Sequence, residues 1–382
     1  MIPACVGDYR ELARRRLPRL LFDYIDGGSY AEATLRRNVE DFEAAALRQR
    51  VLRDVSQVSL QTEVFGQTLA MPLALAPVGM AGRYARRGEV QAARAARAGG
   101  VPFTLSTMGV CDLDEVTAGV GAPPWFQLYM IKDRGYIEAL LDQARDKACP
   151  VLMFTVDLPL PGARYRDMRS GLFGGSDPLA GVKRALDGLG HPAWLWDVQI
   201  NGGPHTFGNL AAAIPEAKGV AEFWPWVLRN FDPSLTWKDI EWVRARWPGP
   251  LVVKGVLDPD DAREARRCGV DGIVVSNHGG RQLDGVLSGV AALPPIVDAV
   301  GDDLAVLMDG GVRSGLDVVK ALALGAKACL IGRAWAWALG ARGEAGVAHM
   351  LSLLRQEMLI AMSLTGCADV RAAGRELLAE SR

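Results

Sequence analysis

Eight short apolar runs, separated by polar or glycine-rich turns and by stretches of helical spacing, constrain this chain more than any other feature. They are MPLALAP (71–77), VPFTLS (101–106), WFQLY (125–129), VLMFTVD (151–157), LVVKG (251–255), GIVVS (272–276), LAVLMD (304–309) and ACLIG (328–332). Nearly continuous apolar strands are those of a parallel sheet buried on both faces. Between them, GEVQAARAARAG (88–99), DRGYIEALLDQARDKA (133–148) and SGLDVVKALALGA (314–326) repeat apolar residues with the period of a helix. Eight such units predict an α/β fold, the (β/α)8 TIM barrel. A doubly wound open sheet is the alternative, lowered by the lack of a G-x-G-x-x-G turn after the first run.

The length of 382 residues suits two domains or one barrel with additions. The reading is a single domain. Residues 1–70 form an N-terminal helical region, with RELARRRLPRLLFDYIDGG stopping at Gly-Gly. Residues 71–157 and 236–340 form the barrel, and 341–382 a C-terminal helix containing VAHMLSLLRQEMLIAMSLTG. The even spacing breaks once, between the fourth and fifth runs. There residues 158–235, rich in glycine, proline and tryptophan, form a long insertion after strand four; such loops are usually functional or disordered. The net charge of -1 argues against a nucleic-acid surface. The six cysteines, at 5, 111, 149, 268, 329 and 367, show no C-x-x-C pair and read as reduced, mostly buried thiols, with no metal site. No N-terminal stretch reads as a signal peptide, and the apolar run at 69–82 is too short to span a bilayer. A soluble or surface-attached protein is expected.

Chemistry in such barrels gathers at the C-terminal strand ends. Those positions hold Pro77-Val78-Gly79, Ser106, Gln127 and Tyr129, Thr155 and Asp157, Lys254, His278 after strand six, Asp309, and Gly332-Arg333. Strands seven and eight run into MDGGVRSG (308–315) and IGRA (331–334), each opening a helix whose free amides suit a phosphate, with Arg313 and Arg333 to add bidentate contacts. An ordinary glycine-rich turn with solvated arginines is the plainer reading. Lys254 supplies fixed charge of the kind that stabilises a reduced flavin, unless it merely snorkels from its strand. SNHGGRQLDG (276–285) sets His278 three residues before Arg281 in a glycine loop. A base, a carboxylate such as Asp157 to steady its charged form, and an arginine for an anionic substrate make a proton-abstraction site. A lone histidine is otherwise more often structural.

Together these residues resemble the FMN-dependent α-hydroxy acid oxidoreductases, whose active-site signature SNHGGRQLDG matches; the similarity runs from FDYIDGG to LTGC. TLRRNVEDF, YARRGEVQAA, DLPLPGARYRD and FDPSLTWKDIEW look most like its bacterial quinone-linked branch acting on L-lactate. The resemblance implies His278 as catalytic base with Asp157 as partner. It implies Arg281, Tyr24 and Arg164 on the substrate carboxylate, and Tyr129 at the oxygen of the reacting carbon. It implies FMN held by backbone at Pro77, Val78 and Gly79, by Ser106, Gln127, Thr155, Lys254 and Ser276 around the ring, and by Asp309, Gly310, Gly311, Val312, Arg313, Gly332 and Arg333 around the ribityl phosphate. Met108 and Leu160 stand where the family varies with substrate. The reaction implied is L-lactate to pyruvate, with electrons passed to a membrane quinone or other respiratory acceptor. A homotetramer resting peripherally on the cytoplasmic face of the inner membrane goes with it.

An oxygen-using oxidase, or a dehydrogenase for mandelate or glycolate, stays open as a substrate or acceptor alternative. A redox-neutral phosphate-binding isomerase and an inert scaffold stay open as alternative classes. Within the insertion, HPAWLWDVQINGG and GVAEFWPWVLRNF carry apolar residues without evident strand or helix periodicity. They read either as a loop covering the core or as a membrane-facing patch over about 177–227, since tryptophan favours the bilayer interface. The family's membrane-bound members carry their anchoring segment at this point.

Overall fold

Each of the eight apolar runs becomes one strand of a single parallel sheet. The computed structural model describes residues 1–171, 180–214 and 220–379. In it β1 (Thr62–Val64) and β2 (Gln67–Leu69) form an antiparallel hairpin ahead of the barrel. The barrel strands are β3 (Leu73–Leu75), β4 (Thr104–Ser106), β5 (Trp125–Leu128), β6 (Leu152–Thr155), β7 (Leu251–Val256), β8 (Gly272–Val275), β9 (Ala305–Asp309) and β10 (Ala328–Ile331). Their order is β3-β10-β9-β8-β7-β6-β5-β4. A parallel bridge between Leu75 and Phe103, with Leu75 N donating to Pro102 O at 2.8 Å, closes the ring between β3 and β4. This is the predicted (β/α)8 barrel. Strand β7 runs two residues past Lys254, which therefore sits inside the strand and not at its end.

Strand side chains alternate between the two faces, and the buried residues sort accordingly. Leu73, Leu75, Phe126, Leu152, Phe154, Val253, Ile273 and Cys329 pack in the large cluster beneath the helices. Ala74, Trp125, Met153, Val252, Val274, Leu307 and Ala328 pack in a second cluster with Val64 and Leu69 of the hairpin. That second set is the barrel interior. The hairpin plugs its N-terminal mouth: Phe65 meets Trp125 edge-to-face at 5.9 Å, and Gln67 Oε1 accepts from Trp125 Nε1 at 3.2 Å. One step further along six of the eight strands, the inward position becomes polar. Ser106, Gln127, Thr155, Lys254, Ser276 and Asp309 are all buried, and together they floor the opposite, C-terminal mouth.

The N-terminal region holds helices Val6–Arg16, Arg19–Asp26 and Ala33–Ala44; the stretch that ends at Gly-Gly is divided at Leu17-Pro18, where proline has no N–H to continue the ladder. The C-terminal helix starts earlier than expected, at Arg333, kinks at Arg342-Gly343 and stops at Thr365 before Gly366 in the left-handed conformation. Among the described residues no helix is long and apolar enough to cross a membrane. Five cysteines are buried and Cys5 is exposed, none of them bridged.

The insertion is helical where it is described, contrary to the absence of periodicity read from its sequence. Helices Tyr165–Ser170, Ala180–Leu189, Pro192–Trp194 and Val220–Asn230 alternate with a π turn, Leu195–Ile200, and a 3-10 turn, Gly208–Ala213. Among the described residues the insertion's buried apolar side chains come in short sets: Trp194 with Val198, Phe207 with Leu210, and Val227 with Phe231. Short sets interrupted by prolines and glycines leave little periodic signal. Trp194 is a covering residue, its Nε1 donating to Arg83 O at 2.8 Å. Trp196 is 66% exposed, and Val182, Leu186, Leu189 and Ile200 are exposed with it. The expected patch also spans 177–179, 215–219 and the Trp224 side chain, which lie outside what the structure describes.

Candidate active site

The loop after β8 is built around its left-handed turn. His278, Gly279 and Gly280 have φ of 57°, 64° and 73°. For a non-glycine residue this costs about 1–2 kcal/mol, so the surroundings must hold His278 there. Its backbone N donates to Ser276 Oγ at 3.0 Å, and Asn277 Oδ1 takes Gly280 N at 2.9 Å. Asn277 is itself locked by paired amide bonds to Asn38 at 2.9 and 2.8 Å. No side chain fits at the glycines: a Cβ on Gly279 would lie 2.6 Å from Arg333 Nη1, and one on Gly280 2.6 Å from Leu35 N.

This turn delivers His278 to the C-terminal mouth, where Nδ1 lies 2.8 Å from Asp157 Oδ1 at the end of the β6 run. Burial raises the Asp157 pKa, but the His278 charge and hydrogen bond, with Lys254, outweigh it and leave the pKa below its ordinary value. Asp157 therefore stays ionised and fixes the proton on Nδ1, leaving Nε2 as the basic nitrogen. Arg281 and Arg164 flank the Tyr24 ring, their guanidinium carbons 4.7 and 5.3 Å from its centroid. Arg164 Nε also pairs with Asp167 Oδ2 at 3.3 Å. Tyr129 packs edge-to-face on Phe231 at 5.4 Å, and burial, then Asp157, pushes its phenol pKa up, so it stays protonated.

The floor has a distinct job. Lys254 Nζ lies 3.0 Å from both Ser276 Oγ and Asp309 Oδ2. Burial works against its charge, but Asp309 and Asp157 outweigh burial and hold its pKa above the ordinary value. Ser106 Oγ donates to Gln127 Oε1 at 2.9 Å, which turns Gln127 Nε2 away from that contact. Gln127 Nε2, Thr155 Oγ1, Asp309 Oδ1 and Arg333 Nε are buried and have no protein partner among the described residues. Buried polar atoms in this number want a ligand, and these offer donors and acceptors to a heteroaromatic ring at one end. At the other end Gly332 opens a helix without a side-chain cap, and a Cβ there would meet only Val78 Cγ2 at 3.8 Å and Ala76 Cβ at 3.9 Å. An uncapped helix N-terminus beside Arg333 suits a phosphate. The donor set and the cradle fit FMN.

One cavity of about 1220 Å³, its open mouth included, gathers most of the expected residues. Tyr24, Pro77, Val78, Gly79, Ser106, Tyr129, Arg164, Lys254, His278, Arg281, Asp309, Gly310, Gly311, Val312, Arg313, Gly332 and Arg333 line it. Gln127, Thr155, Asp157 and Ser276 lie behind that wall; of these, Gln127, Asp157 and Ser276 touch it through Ser106, His278 and Lys254.

Two expectations fail. The helix after MDGGVRSG has no free N-terminus: Asp317 Oδ2 takes Arg313 N and Ser314 N, each at 2.9 Å, and Glu357 Oε2 takes Gly315 N at 2.7 Å. Its amides are spent on the chain's own carboxylates, which leaves the IGRA helix as the candidate anion site. Leu160 is 68% exposed and off the cavity wall, which Leu158 and Pro161 line instead; Gln282 Nε2, donating to Leu160 O at 3.0 Å and Asp157 O at 2.8 Å, sets that turn. The sequence reading also missed Phe207 and Phe231, which the insertion contributes to the cavity.

Residues 13–380 match a family model described as FMN-dependent dehydrogenase. An L-lactate dehydrogenase of Caulobacter vibrioides is 59% identical over 380 residues, covering 100% of this chain and 98% of the relative. One of Pseudomonas aeruginosa is 57% identical over 370 residues, covering 97% and 96%. Among solved structures, the monotopic membrane protein (S)-mandelate dehydrogenase aligns with a TM-score of 0.93 at 35% identity over 100% of both chains. A mandelate oxidase aligns at 0.83 and 40% identity, covering 99% of this chain and 98% of that one.

Proposed function

The chain belongs to the FMN-dependent dehydrogenase family, and from that premise we propose that it oxidises L-lactate to pyruvate and passes the electrons to a membrane-held quinone. That it is an FMN-dependent 2-hydroxy acid dehydrogenase follows from the family match and the full-length L-lactate dehydrogenase relatives. The observation that carries the mechanism is the His278–Asp157 pair in the same cavity as Arg281, Arg164 and Tyr24. The substrate carboxylate binds Arg281 with help from Arg164 and the Tyr24 hydroxyl, a planar two-pronged contact that guanidinium suits. The hydroxyl then lies toward His278 Nε2. Lactate loses two electrons and two protons on becoming pyruvate. FMN, when bound, would accept the two electrons and one of the two protons. Nε2 takes a substrate proton, and Asp157 stabilises the imidazolium so formed. Protonated Tyr129 donates to the oxygen of the reacting carbon, and Lys254 supplies fixed positive charge in a dry site. Anaerobic L-lactate should bleach the visible flavin spectrum, and a quinone analogue should restore it faster than oxygen. A spectrum indifferent to lactate refutes the substrate, and faster recovery with oxygen refutes the acceptor.

The mandelate enzymes among the fold neighbours favour a second reading, an aryl substrate. Met108 argues for the small one. It lines the cavity and is 9% exposed, its Cβ only 3.2 Å from where a Cβ on Gly79 would lie. Methionine adapts, so exclusion is partial. kcat/KM for L-lactate should exceed that for (S)-mandelate by about 10-fold, and Met108→Gly should narrow or invert the ratio. Steady-state kinetics with both acids check this; mandelate preferred by the wild type would overturn it.

The acceptor reading extends to place. Val182, Leu186 and Leu189 share a face of helix Ala180–Leu189, and Trp196 and Ile200 follow. This segment is tied to the barrel's N-terminal helices by Arg16 Nη2 to Asp197 Oδ2 and by Arg19 N to Asp187 Oδ2, each at 2.8 Å. An apolar face tied down in this way, on the same insertion that contributes Phe207 and Phe231 to the cavity, suits docking on the inner face of the cytoplasmic membrane. Replacing residues 177–227 with a short polar linker should move the enzyme from the membrane to the soluble fraction. It should slow quinone reduction far more than reduction of a soluble dye. A variant that still pellets with membranes, or loses both acceptors equally, contradicts the docking.

A further inference from the structure

Two guanidinium groups with different proposed tasks end on one carbonyl oxygen. Arg281 Nη1 donates to Gly27 O at 3.1 Å, and to Tyr24 O at 2.5 Å. Arg333 Nη2 donates to the same Gly27 O at 2.7 Å. That carbonyl belongs to the Gly27–Gly28 peptide, just past helix Arg19–Asp26. Neither glycine has a side chain of its own to steady it. A Cβ on Gly27 would lie 2.6 Å from Asp23 O, and one on Gly28 2.8 Å from Gly280 O. A Gly-Gly peptide is free to rotate unless both its faces are bound.

The other face is bound. Gly28 N–H, in the same rigid plane as Gly27 C=O, donates to Glu32 Oε1 at 2.9 Å. Glu32 has a φ of 60°, a conformation that needs support. Its Oε2 accepts from Arg166 Nη2 at 2.6 Å. Arg166 Nη1 in turn donates to Asp26 Oδ2 at 2.8 Å, and Asp26 Oδ1 accepts from Arg10 Nε at 2.5 Å. The order of connection is Arg166, Glu32, the Gly27–Gly28 peptide, and then Arg281 and Arg333 together. The pull is also electrostatic. Burial, then the charges of Arg281 and Arg313, hold Arg333 well below its usual pKa, while Asp26 and Glu32 oppose them. These two carboxylates are the counter-charges of the arginine cluster.

We infer that Glu32, held by Arg166, is a positioning residue: it orients the Gly27–Gly28 peptide, whose carbonyl aims Arg281 at the substrate carboxylate and Arg333 at the FMN phosphate. Substrate affinity and cofactor retention are thereby linked through one peptide plane. The inference rests on the roles given to Arg281 and Arg333 above. Glu32 lies behind both arginines and is absent from the cavity wall.

The test compares Glu32→Ala, Glu32→Gln and Arg166→Gln with the wild-type holoenzyme. The readouts are KM and kcat for L-lactate, and the rate of FMN loss followed by the fluorescence of released flavin. Glu32→Ala should raise KM and speed FMN loss by about 5- to 30-fold each, with kcat falling less. Glu32→Gln keeps an acceptor for Gly28 N–H and should restore both to within about threefold of wild type. Arg166→Gln, at a side chain 32% exposed, should fall between them; if Glu32→Ala does not fold, this variant carries the test. A folded Glu32→Ala or Arg166→Gln with KM and FMN loss unchanged overturns the inference, even if the melting temperature drops. So does a change in only one of the two readouts, or a Glu32→Gln as damaged as the alanine. Arg281→Lys, run in parallel, separates the two failures. If it leaves lactate KM unchanged, the substrate assignment is wrong; if it acts while the Glu32 and Arg166 variants do not, only the linkage is wrong.

Discussion

His278→Ala is expected to purify yellow, with its flavin bound, and to be reduced by L-lactate about 10²–10⁴ times more slowly than the wild type. The flavin should stay because the atoms that fit it belong to other residues: Gln127, Thr155, Asp309, Arg333 and the uncapped turn at Gly332. The loop should stay because the bonds that hold it use the His278 backbone N and the Asn277 side chain, which alanine leaves in place. What is lost is the only imidazole on the cavity wall and the main influence keeping Asp157 ionised, so the Asp157 pKa should move upward toward the value its burial favours. Asp157 is then a poor replacement base. It is buried, and its Oδ2 has no protein partner among the described residues. Stopped-flow reduction under anaerobic conditions decides the matter. A rate within threefold of wild type would mean that the proton goes elsewhere.

Arg281→Lys should lower kcat/KM for L-lactate by about 10- to 100-fold, through both KM and kcat. The guanidinium has two tasks at once: Nη1 is fixed on Tyr24 O and Gly27 O, and the plane lies against the Tyr24 ring. A lysine ammonium can satisfy those carbonyls or face the substrate carboxylate, but its single nitrogen cannot hold the two-pronged contact as well. The substrate then binds loosely and turns its hydroxyl away from Nε2, so the chemical step suffers with the binding. Steady-state kinetics with L-lactate, alongside Arg164→Lys, checks the assignment. Unchanged kinetics in Arg281→Lys and a large loss in Arg164→Lys would exchange their roles.

The barrel and its polar floor were legible because both follow from a period of two. Once Val252 and Val274 face inward, Lys254 and Ser276 must as well, and no distant contact is needed to say so. The His278 loop was legible for a similar reason: Gly279 and Gly280 stand where only glycine fits. The Glu32–Arg166 contact was not, because it joins residues 134 positions apart, and nothing local in DGGSYAE or ARYRD sets one beside the other. The satisfied N-terminus after β9 was misread for a different reason: the local Ser314–Asp317 capping box, which takes Arg313 N and Ser314 N, was passed over, and only Glu357, which takes Gly315 N, comes from 42 residues away. The helices at Pro192–Trp194 and Val220–Asn230 escaped because the first is three residues long and the second carries Pro225 inside it, so neither shows a clean period.

The strand order has a consequence for how the protein is made. The first barrel strand, at residues 73–75, is flanked on one side by the last, at 328–331, and on the other by a single bridge. During synthesis the early strands emerge with one edge unpaired and must wait for roughly 250 residues of chain before the ring can close. The Gly332-Arg333 turn proposed for the FMN phosphate appears at the same late moment, against Val78 and Ala76 from the opening of the barrel. A nascent chain therefore has no pocket to offer a flavin. Cofactor capture and closure of the barrel belong to one event after the last strand is released, and free FMN at that moment favours the closed ring by mass action.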